Sequence, residues 1–130
     1  MKKPLKKAEK CLKNCGGYAQ EAKMYRGTTP TYTFIMPEGV DITLATGIYV
    51  TFCKMDGSLI MTKTDDALNV ANNSVEVYLT QEETLSFPNG QIQVQLNWLY
   101  PEGNKTKRAC SQIMTISARK NLIDEVLSHG

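Results

Sequence analysis

The chain contains a single histidine, His129, and it stands beside the last residue. Hydrolytic chemistry of the Ser-His or Cys-His kind needs a nucleophile, a base and an orienting group within reach of one another. One imidazole at the end of the chain offers no such pairing, so an enzyme is not expected. Glycine-rich phosphate loops are missing as well. No Gly-x-Gly-x-x-Gly or Walker-type run occurs, and Gly16-Gly17 is too short to cradle a phosphate. No apolar stretch approaches the roughly 18–20 residues that cross a bilayer. The start is basic, as a secretory leader would be, but Lys6, Lys7, Glu9, Lys10 and Lys13 interrupt every apolar core. Neither a membrane partner nor secretion by that route is expected.

Cysteine is sparse, at Cys11, Cys15, Cys53 and Cys110. Without a leader the default is reduced thiols in a cytosol. Cys11 and Cys15 are four residues apart, which puts both on one face of a helix. They read either as half of a metal site or as two small residues on a packing face. A zinc site needs two further ligands, and the histidine supply is too thin for them. The expectation is therefore no metal and no cofactor. Cys53 and Cys110 fall in strand-like segments, where a free thiol packs as a small hydrophobe. Carboxylates come in adjacent pairs: Asp65-Asp66, Glu82-Glu83 and Asp124-Glu125. Neighbours in a strand point to opposite faces, so such pairs make poor acid–base dyads and read as solvated turn charges.

What the chain does have is an uneven distribution of charge. Residues 1–26 hold eight basic side chains against two acidic ones, a net of +6. Residues 27–130 hold seven basic against eleven acidic, a net of −4. A basic arm therefore precedes a mildly acidic body, and such an arm usually exists to touch something else. Leu5, Ala8, Leu12, Cys15 and Ala19 recur at helical spacing, with lysines on the other side. One reading is a helix to about Asn14; the other is a solvated tail, since a stripe this thin is marginal alone. A purely electrostatic arm needs no stripe, whereas a helix that docks into a groove does. Lys2, Lys3, Leu5, Lys6, Lys7, Lys10, Leu12 and Lys13 are thus the candidate partner-binding residues. Nucleic acid is the competing partner, with Tyr18 and Tyr25 as stacking groups. The body shows no basic groove beyond Lys105, Lys107 and Arg108, so docking on protein is favoured.

The body reads as strands. Thr31–Met36 alternates through Tyr32, Phe34 and Met36. Ile48–Met55 and Ser58–Thr64 flank Asp56-Gly57, a hairpin signal that wants φ > 0 at both turn positions. Leu68 and Val70 mark a short strand, Asn72-Asn73 turns it, and Ser74–Leu79 returns. Thr80-Gln81-Glu82-Glu83 has capping-box form and predicts one helical turn through Leu85. Gln91–Tyr100 alternates most cleanly, with Ile92, Val94, Leu96 and Trp98 on one face and amides on the other. Lys105–Ile116 is predicted as the last strand. Ser117–Gly130 is a helix or an extension, with Leu122, Ile123, Val126 and Leu127 at helical spacing. The predicted core is Phe34, Val50, Phe52, Val77, Ile92, Val94, Leu96 and Trp98. About seven short strands with regular turn signals predict an all-β fold, an antiparallel β-sandwich of Ig-like architecture. The divisions are a basic arm at 1–23, a sandwich domain at 24–116 and a C-terminal extension at 117–130.

Four segments carry a resemblance: Met24-Tyr25-Arg26-Gly27-Thr28-Thr29-Pro30-Thr31, Tyr49-Val50-Thr51-Phe52, Leu79-Thr80-Gln81-Glu82-Glu83-Thr84-Leu85 and Gln91-Ile92-Gln93-Val94-Gln95-Leu96. In this order they are similar to small structural proteins of tailed bacteriophages and prophages of Gram-positive bacteria, and to the N-terminal Ig-like module of phage baseplate upper proteins. The resemblance spans roughly residues 24–116 and brings no catalytic residues. It implies a virion component of the tail, baseplate or head surface, assembled in the bacterial cytoplasm. It implies other phage structural proteins as partners and many copies in a symmetric assembly. The second reading is a phage-encoded inhibitor that binds a host defence protein or nucleic acid through the arm.

Overall fold

Ala22 and Met24 turn inward while Lys23 and Tyr25 turn outward, and this short alternation makes the first strand, β1 (Ala22–Tyr25). The computed structural model describes residues 22–128. Eight further strands follow: β2 (Thr31–Ile35), β3 (Gly47–Lys54), β4 (Leu59–Thr64), β5 (Leu68–Ala71), β6 (Ser74–Tyr78), β7 (Gly90–Glu102), β8 (Lys105–Cys110) and β9 (Met114–Arg119). One short α-helix, α1 (Gln81–Leu85), and two 3-10 turns, Ile42–Leu44 and Asp65–Ala67, interrupt them among the described residues. The fold is mostly β, with one sheet of six strands and one of three.

The larger sheet is organised around β7. Its order is β1-β9-β7-β3-β4, and β8 also pairs with β7. β9 takes the first half of β7, from Gly90 to Val94, and β8 takes the second half, from Asn97 to Glu102. Both are antiparallel to it, while β1 lies parallel to β9 with Ala22 opposite Ile116. The smaller sheet runs β2-β6-β5, all antiparallel.

Both sheets contribute to one apolar cluster. The inward positions of β7 are Ile92, Val94, Leu96 and Trp98, and all four are buried. Val50 and Phe52 come in from β3, Ile116 from β9, and Phe34, Val75 and Val77 from the smaller sheet. Phe52 and Phe87 stack at 5.6 Å between ring centroids, a tilted pairing that adds about 0.5–1.5 kcal/mol beyond area burial.

Several details refine the sequence-based expectation. The Asp56-Gly57 turn has a positive φ only at Gly57, at 91°. The Gly57 amide donates to Lys54 O and the Lys54 amide to Ser58 O, and the register shifts between Phe52 and Cys53. This is a three-residue loop closed by a left-handed glycine with a bulge. Asp56 accepts from the Ser58 amide and hydroxyl, which holds the helical half of the loop and lowers the Asp56 carboxyl below its ordinary pKa.

Lys105–Ile116 is two strands, not one. Ser111 breaks it by placing its own hydroxyl on the Leu96 amide at 3.0 Å, where a ladder partner would sit. Its backbone amide donates to Leu96 O, and Gln95 Nε2 donates to Ser111 O. The chain then shifts to the other half of β7's edge.

Of the two readings for the C-terminal segment, helix or extension, residues 120–128 take the extension. The Leu127 backbone bonds to Gln81 of the body, and the Ile123 amide donates to Asn121 Oδ1 within the extension. Finally, β1 and β9 run across the divisions placed at 23/24 and 116/117. Ala22, Met24 and Ala118 are part of the buried cluster, so the sheet needs residues from both sides of those divisions.

Candidate interaction surfaces

Arg26 sits where β1 ends, and its guanidinium is bound on three sides. Nε donates to Phe87 O at 2.7 Å, one terminal nitrogen to Leu85 O at 2.6 Å, and the other to Asp124 Oδ1 at 2.8 Å. Its backbone amide reaches Arg119 O, and its carbonyl accepts from Asn121 Nδ2. Next to it, the Gly27 amide donates to Thr84 Oγ1, and Thr84 donates to Thr28 O. Thr84 is fully buried. A side chain at Gly27, where φ is +88°, would be strained and would press on Leu85 at 3.3 Å. The Arg26-Gly27-Thr28 run and the Thr80–Leu85 run, far apart in sequence, thus form one junction. Arg26 belongs to the body and not to the free charge of the arm.

α1 is held by the capping box that the sequence predicts. Thr80 Oγ1 accepts from the Glu83 amide and Glu83 accepts from the Thr80 amide. Glu83 also meets Lys63 at 2.8 Å, and Lys63 donates to Tyr78 O. Partial burial pushes the Glu83 carboxyl up, but the bonds from Lys63 and Thr80 outweigh it and hold the group below its ordinary range.

Each carboxylate pair has a member in a structural role. Asp65 accepts from the Ile48 amide while sitting at a φ of 40°, a region that aspartate tolerates better than most residues. Glu83 closes the capping box, and Asp124 pairs with Arg26. Among the described residues no three His, Cys, Asp or Glu side chains gather as metal ligands. No helix there is long and apolar enough to cross a membrane. Cys53 is half-buried and Cys110 exposed, both as free thiols. Lys2, Lys3, Leu5, Lys6, Lys7, Lys10, Leu12 and Lys13 lie outside the described residues, as do Cys11, Cys15 and His129.

Three surface features remain. The outer face of the six-stranded sheet is amide- and hydroxyl-rich. It carries a depression of about 380 Å³ bordered by Tyr49, Thr51, Thr62, Asn97 and Arg108. Gly47 makes room there: a Cβ would meet the Tyr49 ring at 3.2 Å, so the ring lies along the strand over the glycine. Arg108 Nε donates to Asn97 Oδ1 at 3.1 Å across the rim.

The second feature is an apolar groove of about 480 Å³ at the far end of β7. Val40, Leu44, Ala45, Trp98, Tyr100 and Ala109 line it. The 3-10 turn Ile42–Leu44 forms one wall, started by Asp41, whose carboxylate accepts from the Thr43 amide. Ile42 is buried beneath, which turns Leu44 outward at 67% exposure.

The third is the C-terminal extension. Gln81 accepts from the Leu127 amide at 2.7 Å and donates to Leu127 O at 3.0 Å, while Asn121 and Asp124 engage Arg26. The extension leaves Leu122, Ile123, Val126 and Leu127 exposed, Leu122 at 96%. The sequence signals this segment only as apolar spacing without a partner. No protein-family model matches the chain, and no curated protein matches it.

Proposed function

We propose that this chain is a non-enzymatic structural component of a tailed-bacteriophage particle, a tail, baseplate or head-surface part that docks on neighbouring subunits. The fold is proposed to be a β-sandwich of Ig-like architecture, since the inward faces of both sheets supply one cluster. The observation that carries the functional reading is the Arg26 junction. Two of the four segments quoted for the resemblance lock together there: Arg26 to Leu85, Gly27 and Thr28 to Thr84. That gives the shared pattern a physical reason in this chain. One member of each described carboxylate pair is occupied by a structural contact, which fits a part that binds and holds. Arm residues 1–23, with Leu5 and Leu12 among their lysines, are proposed to dock on a neighbouring subunit.

Mass spectrometry of purified phage particles tests the reading. The protein should be present in many copies per particle. Absence from particles, with the protein found instead on a host component, would replace it with the inhibitor reading.

A further inference from the structure

We infer that the basic arm folds back on its own chain and seats lysines on the outer face of the smaller sheet, in a depression bordered by Asp66, Glu76 and Tyr78. The inference concerns the isolated chain and stands apart from the particle role above.

Charge is the first ground. Residues 1–21 hold six basic and two acidic side chains. Residues 27–104 hold two basic and nine acidic ones, and β2, β5 and β6 contain no basic residue. Opposite fields on two parts of one chain attract each other.

The acidic segment leaves one shared seat for a cation. Asp41, Asp56 and Asp65 accept from backbone amides, Glu83 pairs with Lys63 and Glu102 with Lys107. Asp66 and Glu76 have no cation beside them among the described residues, and Asn69 reaches Glu76 only at 3.4 Å. Phe34, Val75 and Val77 take inward positions of the smaller sheet, so Glu76 and Tyr78 turn outward. With Thr31, Asp66 and Asn69 they border a depression of about 250 Å³. Tyr78 is 51% exposed there. An ammonium placed between two carboxylates and the face of a tyrosine is stabilised by all three.

Reach is the second ground. The chain from Ala22 to Thr31 spans nine residue steps, which caps their separation at roughly 30 Å. Two strand spacings, about 10 Å, lead from β2 across to β5. Twelve steps separate Lys10 from Ala22 and extend to about 40 Å. Lys10 and every lysine before it therefore reach the depression. One exposed ion pair is weak. Tethering offsets this, because an arm joined to the body meets the face at an effective concentration that a separate molecule does not reach.

Carbodiimide coupling of the dilute full chain tests this, read by peptide mass mapping on an equal mixture of isotope-labelled and unlabelled protein. The reagent joins lysines to carboxylates in contact with them. Cross-links should join Lys10 and the lysines before it to Asp66 or Glu76, within one isotope set. They should disappear at about 1 M salt, where the screening length is roughly 3 Å. Asp66→Asn with Glu76→Gln should stay folded by circular dichroism, since neither residue is buried. Trypsin should then cut the arm of that variant several-fold faster than the wild-type arm. Cross-links that mix isotopes would move the arm to a second copy and overturn the inference. Arm cross-links spread evenly over Glu38, Glu82 and the other carboxylates, an absence of arm cross-links, or equal trypsin rates in wild type and variant would overturn it too.

Discussion

At the scale of single residues, Tyr32 is the most informative misfit. It is buried at 6% exposure in β2, and its hydroxyl has no hydrogen-bond partner among the described residues. Burial pushes its pKa up to about 12 from an ordinary 10. The folded state therefore holds the proton more tightly than the unfolded one. The resulting stabilisation is complete below pH 10 and is lost as pH rises toward about 12. Absorbance titration should show one of the six tyrosines ionising late, together with unfolding. Tyr32→Phe removes a buried hydroxyl without a partner and should raise stability at neutral pH by about 1 kcal/mol in urea titrations.

Arg26 makes the opposite case, a polar group with all three guanidinium nitrogens bonded. Arg26→Lys keeps a charge for Asp124 but cannot reach Leu85 O and Phe87 O together. Urea unfolding should show a loss of roughly 1–3 kcal/mol. In the sequence Arg26 is one of eight basic residues in a basic stretch. Nothing local distinguishes it from Lys23, because its partners lie some sixty residues away.

At the scale of elements, local chemistry was legible and tertiary substitution was not. The Thr80–Glu83 box and the alternation of β7 are both visible in a dozen residues, and both form as read. The break at Ser111 is not visible, because a serine hydroxyl replaces a ladder bond to a strand fifteen residues earlier. The C-terminal spacing left a helix or an extension open. Gln81 instead bonds both backbone groups of Leu127, and Arg26 takes Asp124, and those contacts outweigh a marginal local preference. The groove was invisible for the same reason: it is made by segments that meet only in the fold.

Glu83 gives this scale its prediction. Its carboxyl is lowered in the folded state, so its contribution is present above its ordinary value of 4.5 and fades as pH falls through the folded value. Glu83→Gln should lower the melting temperature modestly at neutral pH, the contact being partly solvated. The gap between variant and wild type should narrow as pH drops below 4.5.

At the scale of the whole molecule, the larger sheet is closed along one side by residues from the two ends of the described chain. A fragment of residues 27–130 lacks β1, the buried Ala22 and Met24, and the whole Arg26 junction. Thermal melts should place it well below a fragment of residues 22–130, with a broadened transition. Equal melts would show that β1 adds nothing to the body. The sequence hid this dependence because Ala22 to Tyr25 is too short a run to announce a strand, and its partner lies in another part of the chain.

The parallel pairing of β1 with β9 also bears on how the protein comes into being. Ala22 is made well before its partner Ile116. At about 5–20 residues per second, the wait lasts roughly 5–20 seconds. Until then the inward side chains of β1 and the open flank of β7 have no shelter, and closure must follow the longest loop in the molecule. The nascent chain thus carries unsheltered apolar side chains on β1 and an open flank on β7 until β9 is available to complete the sheet.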